Sequence, residues 1–197
     1  MRIAGPVDGN RLPAGPAPSF RAFWRSYVRA LCANAGLLAA AFATGWIVAA
    51  SRGVELPVEP PRADASDIYW LLVGNNSRVL IALVAGAFTF GIYSAIVLLW
   101  NGYFLGVGLS SLARGTPDLL LPAAPHVTLE FTSLLLAASA SWVLLGDCVG
   151  CLAGNRPVRI RGIAAAVAAA FLLVLVAAWF EVRLVDGDFS LWDTLCG

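Results

Sequence analysis

Residues 124–145 read APHVTLEFTSLLLAASASWVLL, and the reading of this stretch decides the fold. Near its start stand Pro125 and His126, the single histidine of the chain, with Glu130 four residues on. Residues four apart share one face of an α-helix. An apolar run from Phe131 to Leu145 follows directly. Taken from His126 to about residue 149, the segment has the roughly 20 residues needed to cross a bilayer core. Ionisable groups at membrane depth are costly, and by default they mark a functional site.

Composition agrees with the membrane reading. Of 197 residues, 59% are hydrophobic and 13% charged, and the mean hydropathy is +0.79. No soluble domain of this size needs that much apolar surface. The formal charge of +1 gives no general attraction to nucleic acid. All 13 basic residues are arginine, which reads as a compositional bias. Cys32, Cys148, Cys151 and Cys196 are too few and too scattered for a disulfide scaffold. Cys148 and Cys151 form a lone CxxC with no second pair, and they read as small residues at a helix end.

Outward from the opening stretch, the chain divides into four parts. Residues 1–18 carry Pro6, Pro13, Pro16 and Pro18 and read as a flexible segment unable to build a core. Residues 19–29, SFRAFWRSYVR, set aromatic residues among Arg21, Arg25 and Arg29. They read as an amphipathic interfacial helix, or equally as a basic flank to the first span. Residues 30–185 hold the transmembrane bundle, and residues 186–197 an acidic tail with Asp186, Asp188 and Asp193. Within the bundle, spans are expected at 30–50, 79–100, 103–121, 126–149 and 162–180. Val48-Ala49-Ala50-Ser51 resembles a signal cleavage site, but the long arginine-bearing lead before the apolar run argues against one. The third element, glycine-rich after the interruption at Asn101-Gly102, reads as a short span or a re-entrant hairpin.

Arginine placement selects between these. Five arginines precede the first span, which puts the N-terminus on the cytoplasmic side. Arg156, Arg159 and Arg161 reach the same side only if the third element crosses. The expected fold is therefore all-α, a polytopic transmembrane helical bundle of about five spans. The fourth and fifth spans then form one antiparallel hairpin, so His126, Glu130 and Glu181 sit at similar depth. Asn75 and Asn76 come to that end if there are five spans, Asn101 if there are four.

The set Asn75-Asn76, Asn101-Gly102, Pro125-His126 with Glu130, and a late Glu181 resembles the stage II sporulation protein M family. The resemblance covers residues 68–185. It implies a multi-spanning membrane protein of bacteria. The family's namesake works with partner membrane proteins and a wall hydrolase during engulfment, and other relatives look like parts of bacteriocin production and export systems. The family pattern usually carries Gly after the Pro-His pair, where this chain has Val127.

Three chemistries fit the polar residues. In the first, Asn75, Asn76, Asn101 and Arg78 hydrogen-bond within the bundle and fix its register, with Arg78 or Arg183 neutralising a glutamate. In the second, His126, Glu130 and Glu181 ligate a divalent metal such as zinc and activate a water, which would make the chain a membrane-embedded peptidase. The paired histidines of the zincin signature are missing from this chain. In the third, Glu130 and Glu181 act as a glutamate-dependent acid without metal. No Walker, Rossmann or nucleophile-elbow motif occurs.

The reading expects a non-enzymatic membrane subunit or scaffold in an envelope-remodelling or peptide-export complex, without a cofactor. The peptidase centred on His126, Glu130 and Glu181 is the alternative. The expected partners are the lipid bilayer and other membrane or envelope proteins. Small-residue faces permit self-association, and a small peptide is the natural cargo. The expected location is the bacterial cytoplasmic membrane.

Overall fold

A computed structural model of the protein describes residues 20–54, 64–154 and 157–185. The segment 1–18 and the tail 186–197 lie outside the described residues. Five α-helices follow one another: α1 (Phe20–Arg52), α2 (Ala65–Ala85), α3 (Ile92–Gly115), α4 (Leu120–Leu152) and α5 (Ile160–Val185). All five are long and apolar enough to cross a membrane.

At 33 residues, α1 is about 50 Å long against a hydrocarbon core of roughly 30 Å, so it tilts or projects beyond it. The stretch read as an interfacial helix forms the first turns of this same helix. Phe23 and Tyr27, one turn apart, are buried in a cluster with Ala140, Val143 and Ile163. That stripe docks α1 against α4 and α5.

The count of five spans agrees with the sequence, but the boundary between the second and third does not. The chain reverses at residues 86–91 and not at Asn101-Gly102, so α3 is a full span that neither shortens nor re-enters. Two residues make the turn, Phe90 at φ 53° and Gly91 at φ 79°, both left-handed. The turn satisfies its own polar groups. The Gly91 N–H donates to the Gly86 carbonyl at 2.9 Å. The Thr89 hydroxyl donates to the Gly86 carbonyl at 3.0 Å and accepts the Tyr93 N–H at 3.1 Å, capping α3. Its other side chains therefore need not be polar, and Phe88 (79% exposed) and Phe90 (75%) point outward. Hydropathy runs through such a turn without a dip.

Two kinds of contact hold the bundle. In lipid, helix association relies on close backbone packing and interhelical hydrogen bonds. The first kind joins α1 to α3, which run parallel. A side chain at Gly45 would collide with the Tyr103 carbonyl, and one at Gly106 with the Phe42 carbonyl. The second kind is a seam of buried serines. The Leu83 carbonyl can only accept, so Ser94 donates to it at 2.6 Å, and Ser141 then donates to the Ser94 oxygen at 2.8 Å. This chain of bonds joins α2, α3 and α4. Asn34 of α1 donates to Ser139 of α4 at 3.3 Å. Around the seam pack Leu38, Leu80, Leu83, Leu98, Leu134 and Val174, contributed by all five helices.

The two ends of the bundle differ in charge. One, the arginine end, carries the start of α1, the α2–α3 turn and the α4–α5 connection, with Arg21, Arg25, Arg29, Arg159 and Arg161. The other, the histidine end, carries the close of α1, α3 and α5 and the starts of α2 and α4. There Arg114 caps α1, donating to the Ala49 and Val54 carbonyls at 2.7 and 2.6 Å.

Candidate functional site

Near the histidine end α4 lies antiparallel to α5, and this pairing builds the site. Pro125 sits inside the second turn of α4 and lacks the N–H that would bond the Leu121 carbonyl. His126 follows, with Glu130 one turn below on the same face. The Nε2 atom of His126 lies 3.3 Å from Glu130 Oε2 and 3.5 Å from Glu181 Oε2 of α5. Its Nδ1 atom lies 3.2 Å from the Ala177 carbonyl, also on α5. The imidazole is 14% exposed, Glu130 16% and Glu181 30%.

The partners constrain the protons. A carbonyl only accepts, so Nδ1 carries a hydrogen. Nε2 faces two carboxyl groups, and a hydrogen on it would turn both contacts attractive. Both ring nitrogens are thus engaged, one on each side, and the imidazole bridges two helices. A backbone carbonyl on Nδ1 also orients Nε2 as metal-bound imidazoles are oriented. His126, Glu130 and Glu181 are therefore the residues that could hold a divalent ion. Among the described residues, however, no three His, Cys, Asp or Glu side chains form a metal-binding group. At 3.3 and 3.5 Å from Nε2, the two carboxyl groups lie within ion-pair reach of the ring.

A cavity of about 380 Å³ adjoins the triad. His126, Glu130 and Asn101 line it together with Phe104, Gly108 and Leu112. Asn101, in the middle of α3, donates to the Val97 carbonyl of its own helix at 2.8 Å. Asn75 and Asn76 sit halfway along α2, Asn75 exposed and Asn76 half-buried, and Arg78 is exposed on the same helix. None of these three side chains has a polar partner among the described residues. The Arg183 guanidinium stacks over the Trp179 ring at 5.4 Å.

A second ionic centre escaped the sequence reading. Asp147, fully buried near the close of α4, is gripped by Arg159 just before α5. The Arg159 Nε atom is 2.8 Å from Oδ2 and its Nη2 atom 2.5 Å from Oδ1. The Arg159 backbone N–H also donates to Oδ2 at 3.1 Å, satisfying an orphan donor of the α5 start. The guanidinium lies 5.4 Å over the Phe23 ring, which ties in α1. The available signal was a lone aspartate inside an apolar run, which requires a cationic partner. Cys148 and Cys151 follow on α4 as free thiols, and Cys196 lies outside the described residues.

An uncharacterized protein of Methanocaldococcus jannaschii is 32% identical over 74 residues, which cover 36% of this chain and 42% of the relative. The aligned part thus spans less than half the length of that relative. No solved structure matches the chain. The stage II sporulation protein M family matches over residues 34–184, which take in α2, α3 and α4 whole, the later part of α1, nearly all of α5 and the His126, Glu130 and Glu181 positions. With five apolar helices and a match across most of its length, the chain is a multi-pass membrane protein and belongs to the stage II sporulation protein M family.

Proposed function

We propose that this chain is a non-enzymatic membrane subunit that scaffolds an envelope-remodelling or peptide-export complex. The observation that supports this reading is the bridge that the triad makes between α4 and α5. His126 sets its two ring nitrogens against groups of α4 and α5, so the imidazole ties the two helices together. Such a bridge fixes one helix hairpin and so holds the surfaces that other membrane proteins would meet. The arginine end faces the cytoplasm of a bacterial cell by the positive-inside rule, which places the N-terminus inside and the triad near the outer side of the cytoplasmic membrane.

The runner-up is a membrane-embedded peptidase, metal- or glutamate-dependent, with the same three residues. The 380 Å³ cavity against His126 and Glu130 favours it, since it has the size of a small-ligand pocket. Metal analysis and peptide hydrolysis by the detergent-purified protein separate the two. The scaffold reading expects no stoichiometric metal and no hydrolysis, with Glu130→Gln lowering the thermal midpoint. Stoichiometric metal lost in Glu130→Gln, together with hydrolysis, would replace the scaffold with the enzyme.

A further inference from the structure

At the arginine end a groove of about 930 Å³ opens between α1 and α5. Its inner wall is apolar and built of small or flat side chains. Tyr27 and Leu31 of α1 face Ala165, Ala166 and Ala169 of α5, with Leu136 of α4 among the lining residues. From Ile160 to Ala169 the groove runs about 14 Å along α5, close to half of the roughly 30 Å hydrocarbon core. It therefore spans one leaflet and stops.

Its mouth is cationic. Arg159 and Arg161 both line it. Arg159 is already neutralised by Asp147. Arg161 is exposed and has no partner among the described residues. Trp24, 45% exposed, stands at the same level and contributes an indole of the kind that favours the headgroup region. An apolar trough one leaflet deep below an unpaired guanidinium has the charge and length of one kind of occupant. We propose that this groove binds an anionic phospholipid, one acyl chain lying along α5 and the phosphate paired with Arg161.

The test is native mass spectrometry of the full chain released from nanodiscs of phosphatidylcholine with or without phosphatidylglycerol. One retained phosphatidylglycerol per chain is expected, in preference to phosphatidylcholine. Arg161→Ala should weaken retention about fivefold, the weight of one arginine near the surface. Arg161→Lys should restore most of it. Ala166→Phe, which fills the trough, should reduce binding of both lipids while leaving the thermal midpoint within a few degrees. Arg52→Ala, at the opposite end of α1, should change nothing. Equal retention of the two lipids would overturn the proposal. So would unaltered retention in both Arg161→Ala and Ala166→Phe, or equal competition by free glycerol phosphate, since the proposed site holds a chain as well as a headgroup.

Discussion

Arg159 closes on Asp147 from three directions, through Nε, Nη2 and its own backbone N–H, and leaves the carboxylate with no exposure to solvent or lipid. The pair joins the close of α4 to the start of α5 and, through Phe23, to α1. Breaking a buried pair by removing one partner strands the other, at a cost of about 3–5 kcal/mol. Asp147→Asn and Arg159→Gln should each lower stability by that order. The double variant should lose less than the sum, because no charge is left stranded. Thermal unfolding in a single detergent, analysed as a double-mutant cycle, checks this, and strict additivity would contradict it.

The α1–α3 contact depends on glycine at defined places. A methyl at Gly45 lands on the Tyr103 carbonyl, and backbone cannot move aside cheaply, whereas one at Gly36 meets nothing within 4 Å. Gly45→Ala should therefore destabilise by about 1–3 kcal/mol. Gly36→Ala should be neutral or slightly stabilising, since alanine is the better helix former. Equal midpoints for the two variants would refute the packing account.

Ser94 carries the serine seam. Ser94→Ala removes the donor to the Leu83 carbonyl and the acceptor for Ser141, all at buried positions. Membrane interhelical bonds are worth roughly 0.6–2 kcal/mol each, so a loss of about 1–3 kcal/mol is expected across the two. Ser26→Ala, whose hydroxyl bonds only within α1, should cost little. Steric-trap or thermal unfolding measures both.

The sequence carried the number of spans and the hairpin of the last two, for identifiable reasons. His126, Glu130 and Glu181 come together because an i, i+4 pair on one span and a residue near the close of the next fall at one depth in any antiparallel hairpin. The α2–α3 boundary was illegible because Gly86 to Gly91 turn while remaining as apolar as the helices they join. The turn bonds its own backbone, so Phe88 and Phe90 can occupy it, and hydropathy registers no interruption. The expected break at Asn101-Gly102 lies within α3 because Asn101 bonds its own helix at Val97, and Gly102 receives Leu38 and Ala41 of α1. Asp147 passed unnoticed because its partner lies across a helix connection, where no helical spacing links the two.

The triad bridges α4 and α5, so both carboxyl partners should matter to the imidazole. Glu181→Gln and Glu130→Gln should each lower the thermal midpoint, and a cycle with His126→Gln should show coupling of about 0.5–3 kcal/mol for each pair. Independent effects of His126 and Glu181 would place them outside one bonded unit.

His126 is the single histidine of the chain, so 15N-histidine labelling yields one imidazole and no overlap. Its 15N spectrum in detergent or nanodiscs tests the central claim most directly. The account predicts a hydrogen fixed on Nδ1 by the Ala177 carbonyl, an Nε2 resonance that shifts in both Glu130→Gln and Glu181→Gln, and no response to a chelator. A bare Nδ1, an Nε2 resonance indifferent to both glutamates, or a spectrum that changes when metal is stripped would contradict it.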